Sequence, residues 1–269
     1  MMTVGSLFAG IGGFDLGFER AGFTIRWQVE NDKYCTLILR KHWPDVRRYG
    51  DITLIDWNDV ERVDLVCGGF PCQPVSVAGK RRGTADERWL WPEFARCLRV
   101  LRPRYVLVEN VPGLLVRGMG EVVGDLARFG YDAEWEVLSA AAFGAPHLRR
   151  RIWLVAYDQS AGARMGCFEA SSERWGTAKT ESAGLRQADW HPSDVGIDAS
   201  SPIVADAEST RLEVGRQGLS TASDWWATEP DVGRMAHGVP ARVDRLRGLG
   251  NAVVPQVVEW IGRQILKAQ

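Results

Sequence analysis

The chain has 269 residues, a net charge of −1, 45% hydrophobic and 25% charged residues, the balance of an ordinary globular protein with room for one large core and a smaller satellite. No apolar run approaches the ~20 residues a membrane span needs, and the opening MMTVGSLFAG has no basic stretch before an apolar core; a cytoplasmic protein is expected. Five scattered cysteines without Cys-x-x-Cys or Cys/His ligand spacing argue against a disulfide framework and against a metal site.

The first 157 residues alternate β-rich runs with amphipathic patterns, the signature of a mostly parallel α/β sheet. TVGSLFA (Thr3 to Ala9) reads as a buried strand, followed by a glycine-rich turn and a helix marked by Phe14, Phe18 and Ala21. TIRWQVE is a second strand, KYCTLILRKHW a second helix, and VDLVCGG a third strand. Leu90, Phe94, Leu98 and Leu101 recur at helical spacing up to Pro103, and YVLVEN is the next strand. Met119, Val122, Val123, Leu126 and Phe129 mark a helix ending at Gly130, after which YDAEWEVLSA and RIWLVAY predict an antiparallel pair late in the sheet.

From Asp158 to about Pro240 the chain is rich in Gly, Ser, Ala and Arg, with isolated tryptophans and no sustained period. Tryptophan is uncommon in disordered segments, so residues 158–240 are expected to form a small loop-rich domain. Pattern returns over 241–269, where Val254, Val258, Ile261 and Ile265 stripe a helix expected to pack back on the domain of residues 1–157.

Chemistry concentrates at the predicted strand ends. In FAGIGGFDLG, glycines at 10, 12 and 13 occupy a strand-to-helix turn, where backbone can approach a ligand and a helix N-terminus presents free N–H groups; the spacing is not Gly-x-Gly-x-x-Gly. Glu30 closes the second strand and Asp51 lies in the next loop, a disposition that suits a nucleoside. In GGFPCQPVS, Pro71 and Pro74 stiffen the backbone around Cys72, so this thiol reads as a nucleophile, whereas Cys67 reads as core. Glu109 ends the next strand, where partial desolvation would let its carboxyl donate a proton. Arg149 and Arg151 are alternate residues that would share a face if the segment is extended. With so little net charge, a polyanion must be held locally; GKRRG (Gly79 to Gly83), HLRRR (His147 to Arg151) and ARVDRLRG (Ala241 to Gly248) are the candidate patches.

The blocks SLFAGIGGFDLGFERAG, VEND, GDI, GGFPCQPVS, RGTADERWLWPEF, VENVPGLL, FGAPHLRRRIWLV and GLGNAVVPQVVEWIG resemble, in order, those of the DNA (cytosine-5-)methyltransferase family of bacterial and phage type. The resemblance implies a Rossmann-like S-adenosylmethionine-dependent fold with a small irregular target-recognition domain. It implies that Cys72 adds to cytosine carbon 6, Glu109 protonates N3, Arg151 holds O2 and Arg149 supports the site. It places Phe8, Gly10, Ile11 and Gly12 around the methionine part of S-adenosylmethionine, Glu30 on the ribose, Asp51 and Ile52 at the adenine, Pro71 and Leu90 in the pocket wall, and Asn251 near the methionine end. Gln73 and Ser76 would touch DNA, and Arg242 or Arg247 would brace the small domain. His147 stands where the family usually has glutamine, and GVPARVDRLRGLGN replaces the usual Arg-x-Leu-Thr segment.

The implied substrate is double-stranded DNA, with a cognate restriction endonuclease as partner and a monomer as the state. A transfer-RNA cytosine-5 methyltransferase is the nearest alternative, although its Cys-Phe-Thr segment is absent. A catalytically silent DNA-binding relative would not need Cys72, Glu109 and Arg151 together, and a nicotinamide oxidoreductase would leave the Pro-Cys-Gln loop without a role.

Overall fold

The computed structural model of the protein describes residues 1–71, 89–161 and 242–268. Seven strands form one sheet among these residues: β1 (Thr3–Leu7), β2 (Thr24–Val29), β3 (Arg47–Tyr49), β4 (Leu65–Gly68), β5 (Tyr105–Asn110), β6 (Tyr131–Ser139) and β7 (Arg150–Asp158). Their order is β3-β2-β1-β4-β5-β7-β6. The first five run parallel, while β7 is antiparallel to both β5 and β6, so the fold is Rossmann-like with an antiparallel pair at one edge.

The helices are α1 (Gly13–Ala21), α2 (Lys33–His42), α3 (Trp91–Leu101), α4 (Leu114–Arg117), α5 (Met119–Arg128), α6 (Arg242–Asn251) and α7 (Pro255–Lys267). Local chemistry sets their ends. Gly22 closes α1 at φ 98°, a conformation that glycine adopts without strain. The Asp32 carboxylate accepts from the Cys35 N–H at the start of α2, and Arg40, Lys41 and His42 occupy its last turn, where cations favour the helix dipole. Proline starts α3 and α7, because its missing N–H has no partner to lose there.

The apolar stripes sort onto the two faces. On one, Val66, Val106, Val108 and Leu154 pack with Trp91, Phe94 and Leu98 of α3 and Val122 and Leu126 of α5. On the other, Leu65, Leu107, Trp153 and Val155 pack with Phe14 and Phe18 of α1 and Val257, Val258, Ile261 and Ile265 of α7. Burying each such side chain is worth about 1.5–3 kcal/mol relative to exposure, so α7 is an integral part of the core although it lies far along the chain from the strands it covers. Three elements escape the sequence pattern: β3, which pairs only with β2 at the sheet edge, α4, a single turn after β5, and α6, whose residues read as a basic patch and a glycine-rich motif.

The parallel register brings the strand ends into a row. Leu7 pairs with Val29 and Gly68, Val29 with Tyr49, and Gly68 with Val108. The next residue on four of these strands (Phe8, Glu30, Gly50 and Gly69) therefore leaves the sheet along one edge, beside Glu109, which stays paired with Trp153 of β7. No helix among the described residues is long and apolar enough to cross a membrane.

Contact between α1 and α7 is set by glycine. A Cβ at Gly17 would lie 2.5 Å from the Val258 Cβ and 2.6 Å from the Pro255 carbonyl oxygen, whereas one at Gly124 in α5 would meet nothing within 4 Å. Gly17→Ala is expected to destabilise by about 1–3 kcal/mol through overpacking, and Gly124→Ala to stabilise by about 0.5–1 kcal/mol through helix propensity. Urea unfolding midpoints of the two variants check this opposite sign.

Candidate active site

The glycine turn after β1 is a backbone cradle. Phe8 and Gly10 have φ 52° and 56°, and Gly12 precedes α1 at φ 90°. Phe8 takes the left-handed region despite its side chain, at a cost of order 1–2 kcal/mol. The turn is held by the Ala9 N–H donating to the Val29 carbonyl at 3.0 Å and the Gly12 N–H to the Ala9 carbonyl at 2.9 Å. Space opens where side chains would stand at Gly10 and Gly50, and the N-terminus of α1 has no side-chain cap, leaving its first N–H groups for an outside acceptor.

Carboxylates frame this cradle. Glu30 accepts from the Gly10 N–H through Oε2 and from the Asp32 N–H through Oε1, both at 2.7 Å. Those two bonds fix the side chain and leave further lone pairs for hydroxyl donors. Asp51 is exposed and accepts through Oδ1 from the Thr53 N–H at 2.9 Å and hydroxyl at 2.8 Å, bonds that hold its carboxyl below the usual range. Ile52 is buried beside it. Behind them, Ser6 and Gln28 donate to the buried Asp15 at 3.3 and 2.8 Å. Burial, only partly offset by these bonds, raises the Asp15 carboxyl to about 6.

A second cluster lies further along the same edge. The Arg151 Nε stands 3.1 Å from Glu109 Oε1, in a pair whose side chains are only 25% and 12% exposed. Glu109 is opposite Trp153 across the β5–β7 ladder, so Arg151, two residues before Trp153, falls on the same face. Burial pushes the Glu109 carboxyl up, against the pull of the Arg151 and Arg149 guanidinium groups. These three side chains share a cleft with Leu138, Trp153, Val254 and Val257. The apolar walls are what make the carboxyl's charge costly.

Glu109 also meets the stem of the thiol loop. A Cβ at Gly69 would come within 2.8 Å of Glu109 Oε2, so glycine lets the chain pass on its way to Phe70 and Pro71 without displacing this carboxyl. The buried Asn110 donates from Nδ2 to the Phe70 carbonyl at 3.2 Å and accepts the Val111 N–H at 2.9 Å. The Phe70 ring packs edge-on against Trp89 with centroids 5.1 Å apart. The chain thus leaves and rejoins the described body at touching residues. Pro71 is exposed, and Leu90, half-buried, is the residue before α3. Cys72, Gln73 and Ser76 lie outside the described residues, as do the GKRRG patch and nearly all of the 158–240 segment.

Arg149 departs from the extended conformation expected of it. It precedes β7 at φ 34°, yet still enters the Glu109 cleft, because its guanidinium is held from the other side: Nη1 and Nη2 donate to the Gly250 and Ala252 carbonyls at 2.8 and 2.7 Å. Asn251, between them, is exposed. Arg247 pairs with Asp32 at the start of α2, which places it against the cradle side of the catalytic body; Arg242 opens α6. Ile11, half-buried, faces Gly248.

Several functional neighbours escape a reading of the sequence. Asn110 could have been suspected as a polar residue ending an otherwise apolar strand. Arg96 carries no such signal: it lies on α3, yet donates to the Ile52 and Ile55 carbonyls at 2.7 Å each, holding the turn after Asp51. Asp32, Asp15 and Gln28 are likewise visible only once the elements are packed.

Comparison with known proteins places the chain in a family. The family model of C-5 cytosine-specific DNA methylase matches residues 2–213. Type II methyltransferase M.BsuFI of Bacillus subtilis is 38% identical over 166 residues, 60% of this chain and 40% of the relative. Type II methyltransferase M.NaeI of Lentzea aerocolonigenes is 32% identical over an alignment of 322 residues, covering 99% of this chain and 75% of the relative. The matches to M.BsuFI and to M.NgoBI of Neisseria gonorrhoeae span 40% and 50% of those relatives, so the chain spans about half the length of curated relatives it matches. Among solved structures, S. pombe Dnmt2 methyltransferase superposes with TM-score 0.54 at 22% identity, covering 69% of this chain and 59% of that one. A crystal structure described as a DNA modification methyltransferase from an E. coli prophage gives 0.52 at 26% identity, covering 61% and 49%. With its model matched over most of the sequence, the C-5 cytosine-specific DNA methylase family is the one to which this chain belongs.

Proposed function

We propose that the protein transfers a methyl group from S-adenosylmethionine to carbon 5 of a cytosine swung out of duplex DNA at a specific sequence. The observation that carries this reading is the buried Glu109 carboxyl, paired with Arg151 and in contact with the glycine stem that leads to Cys72. Such a group can hold a proton against a ring nitrogen while a guanidinium faces a carbonyl oxygen. The cradle fits the donor: the uncapped α1 N-terminus suits its carboxylate, Glu30 its ribose hydroxyls, and Ile52 with Asp51 an adenine edge, with Phe8, Gly10, Ile11, Gly12, Pro71, Leu90 and Asn251 completing the surround. When bound, S-adenosylmethionine supplies an electrophilic methyl group.

The chain's own residues do the rest. The target base must leave the helix stack at a cost of a few kcal/mol, offset by contacts with the pocket and the phosphates. The Cys72 thiolate forms a bond to carbon 6, Glu109 gives its proton to N3, and Arg151 holds O2. Carbon 5 gains enamine character and is alkylated. It then loses its proton to a base, the carbon 6–sulfur bond breaks to regenerate the thiolate, and N3 returns its proton to Glu109. Gln73 and Ser76, close to the thiol in sequence, would meet the DNA, and Arg242 and Arg247 would steady the 158–240 segment that reads the target. A restriction endonuclease of the same specificity completes the reading.

The expected outcomes are these. Cys72→Ser abolishes methylation of duplex DNA while S-adenosylhomocysteine still binds by calorimetry, and DNA carrying 5-fluorocytosine at the target traps the wild-type protein covalently; turnover without a trapped adduct at Cys72 would refute the nucleophile. Methylation of duplex DNA but not of transfer RNA separates this reading from its RNA alternative. Glu109→Gln lowers kcat about 10²–10⁴-fold. Because burial raises this carboxyl, its proton-bearing form persists to higher pH than in an ordinary glutamate, and activity declines as pH rises through that point. Arg151→Met removes the first of the cations opposing that rise, so Glu109 titrates higher still, readable by carbon-13 NMR. Glu30→Ala weakens cofactor binding far more than DNA binding in parallel titrations.

A further inference from the structure

We propose that Arg149 is a positioning residue for the methyl-donor cradle, acting through the backbone of residues 250–252 across the cleft from the base-side carboxyl. The inference rests on the methyltransferase reading above and concerns how its two halves are held together. Residues 247–253 run between two anchor sets. Toward the cradle, Arg247 pairs with Asp32, whose N–H is already held by Glu30. Gly248 faces Ile11, and the Val253 carbonyl oxygen would be 2.5 Å from a Cβ at Gly13, the first residue of α1. Toward the base side, Arg149 donates to the Gly250 and Ala252 carbonyls at 2.8 and 2.7 Å.

The geometry of Arg149 is adapted to this task. Its backbone takes φ 34°, which turns the side chain away from the path of β7, and its guanidinium is partly buried against Arg151 and Glu109. A cation there also complements the carbonyl end of α6. Two parallel N–H groups meeting carbonyls two residues apart fix the orientation of the segment as well as its distance, which a single ammonium cannot do. Since Val253 closes against the first residue of α1, loss of the Arg149 fork loosens the wall of the donor site without touching the donor.

The test compares Arg149→Met, which removes both donors, with Arg149→Lys, which retains the charge and one donor site. Affinity for S-adenosylhomocysteine without DNA, measured by calorimetry, is expected to fall about tenfold in Arg149→Met, within the ~5–150-fold range of coupling between sites, and by less in Arg149→Lys. Amide hydrogen exchange across residues 250–254 of the ligand-free protein should accelerate in the same order. Should Arg149→Met fail to fold, Arg149→Lys carries the comparison by both readouts. Lost turnover with unchanged affinity and unchanged exchange would overturn the proposal and confine Arg149 to the base side. Failure of the wild-type chain to bind S-adenosylhomocysteine would instead strike the methyltransferase reading, leaving the exchange measurement to decide whether Arg149 holds the segment.

Discussion

The in-register ending of five parallel strands is the constraint on which the site depends. Leu7, Val29, Tyr49, Gly68 and Val108 form one row, so the glycine cradle, Glu30, the Asp51 turn, the Gly69 stem and Glu109 emerge side by side. A slip of one residue in β5 would send Glu109 to the opposite face, among the helices α3 and α5. The antiparallel β7 adds a contribution that a parallel strand could not make. Its first residues, not its last, lie at this edge, which is how Arg149 and Arg151 arrive beside the end of β5.

The second constraint is electrostatic. A carboxyl walled by Trp153, Val254 and Val257 is driven toward its neutral form, while Arg151 and Arg149 pull it toward the anion. Burial outweighs the two cations, so the carboxyl is raised above its ordinary value, the direction suited to a proton donor. The cysteines of the described residues stand in contrast. Cys35, Cys67 and Cys97 are buried and free, and burial raises each thiol, Cys35 to about 12 and the other two well above the ordinary value. Such thiols are poor nucleophiles. Cys67 and Cys72 are separated by five positions yet differ in kind: the first is strand core, and the second follows the glycines that carry the chain past Glu109.

The C-terminal residues close both the fold and the cradle. Here α6 lies against the cradle while α7 covers the strands with Val257, Val258, Ile261 and Ile265. Gly13 and Gly17 exist without side chains because Val253, Pro255 and Val258 occupy that space. One return segment thereby stabilises the sheet, abuts the glycine turn and receives the Arg149 fork. Stability and site geometry are accordingly coupled here, and a loosened α1–α7 contact should be felt at the cradle.

By itself the sequence determined most of the order of strands and helices, the antiparallel late pair, the return of the last helix and the strand-end location of Glu30 and Glu109. These are carried by local periodicity, by proline and glycine, and by short motifs, all of which are properties of neighbouring residues. It did not reveal β3, three residues whose pairing depends on an edge provided by β2, nor the single turn of α4, nor α6, whose arginines and glycines carry no apolar stripe. Tertiary structure alone decided that Asn110 would hold the Phe70 carbonyl, that Arg96 would hold the turn after Asp51, and that Arg247 would pair with Asp32. It also decided that Arg149 would leave the extended path to grip residues 250 and 252. Each of these joins side chains to groups distant in the chain, and the hydrogen-bonding preference of an arginine or asparagine names no partner until packing has brought one within reach.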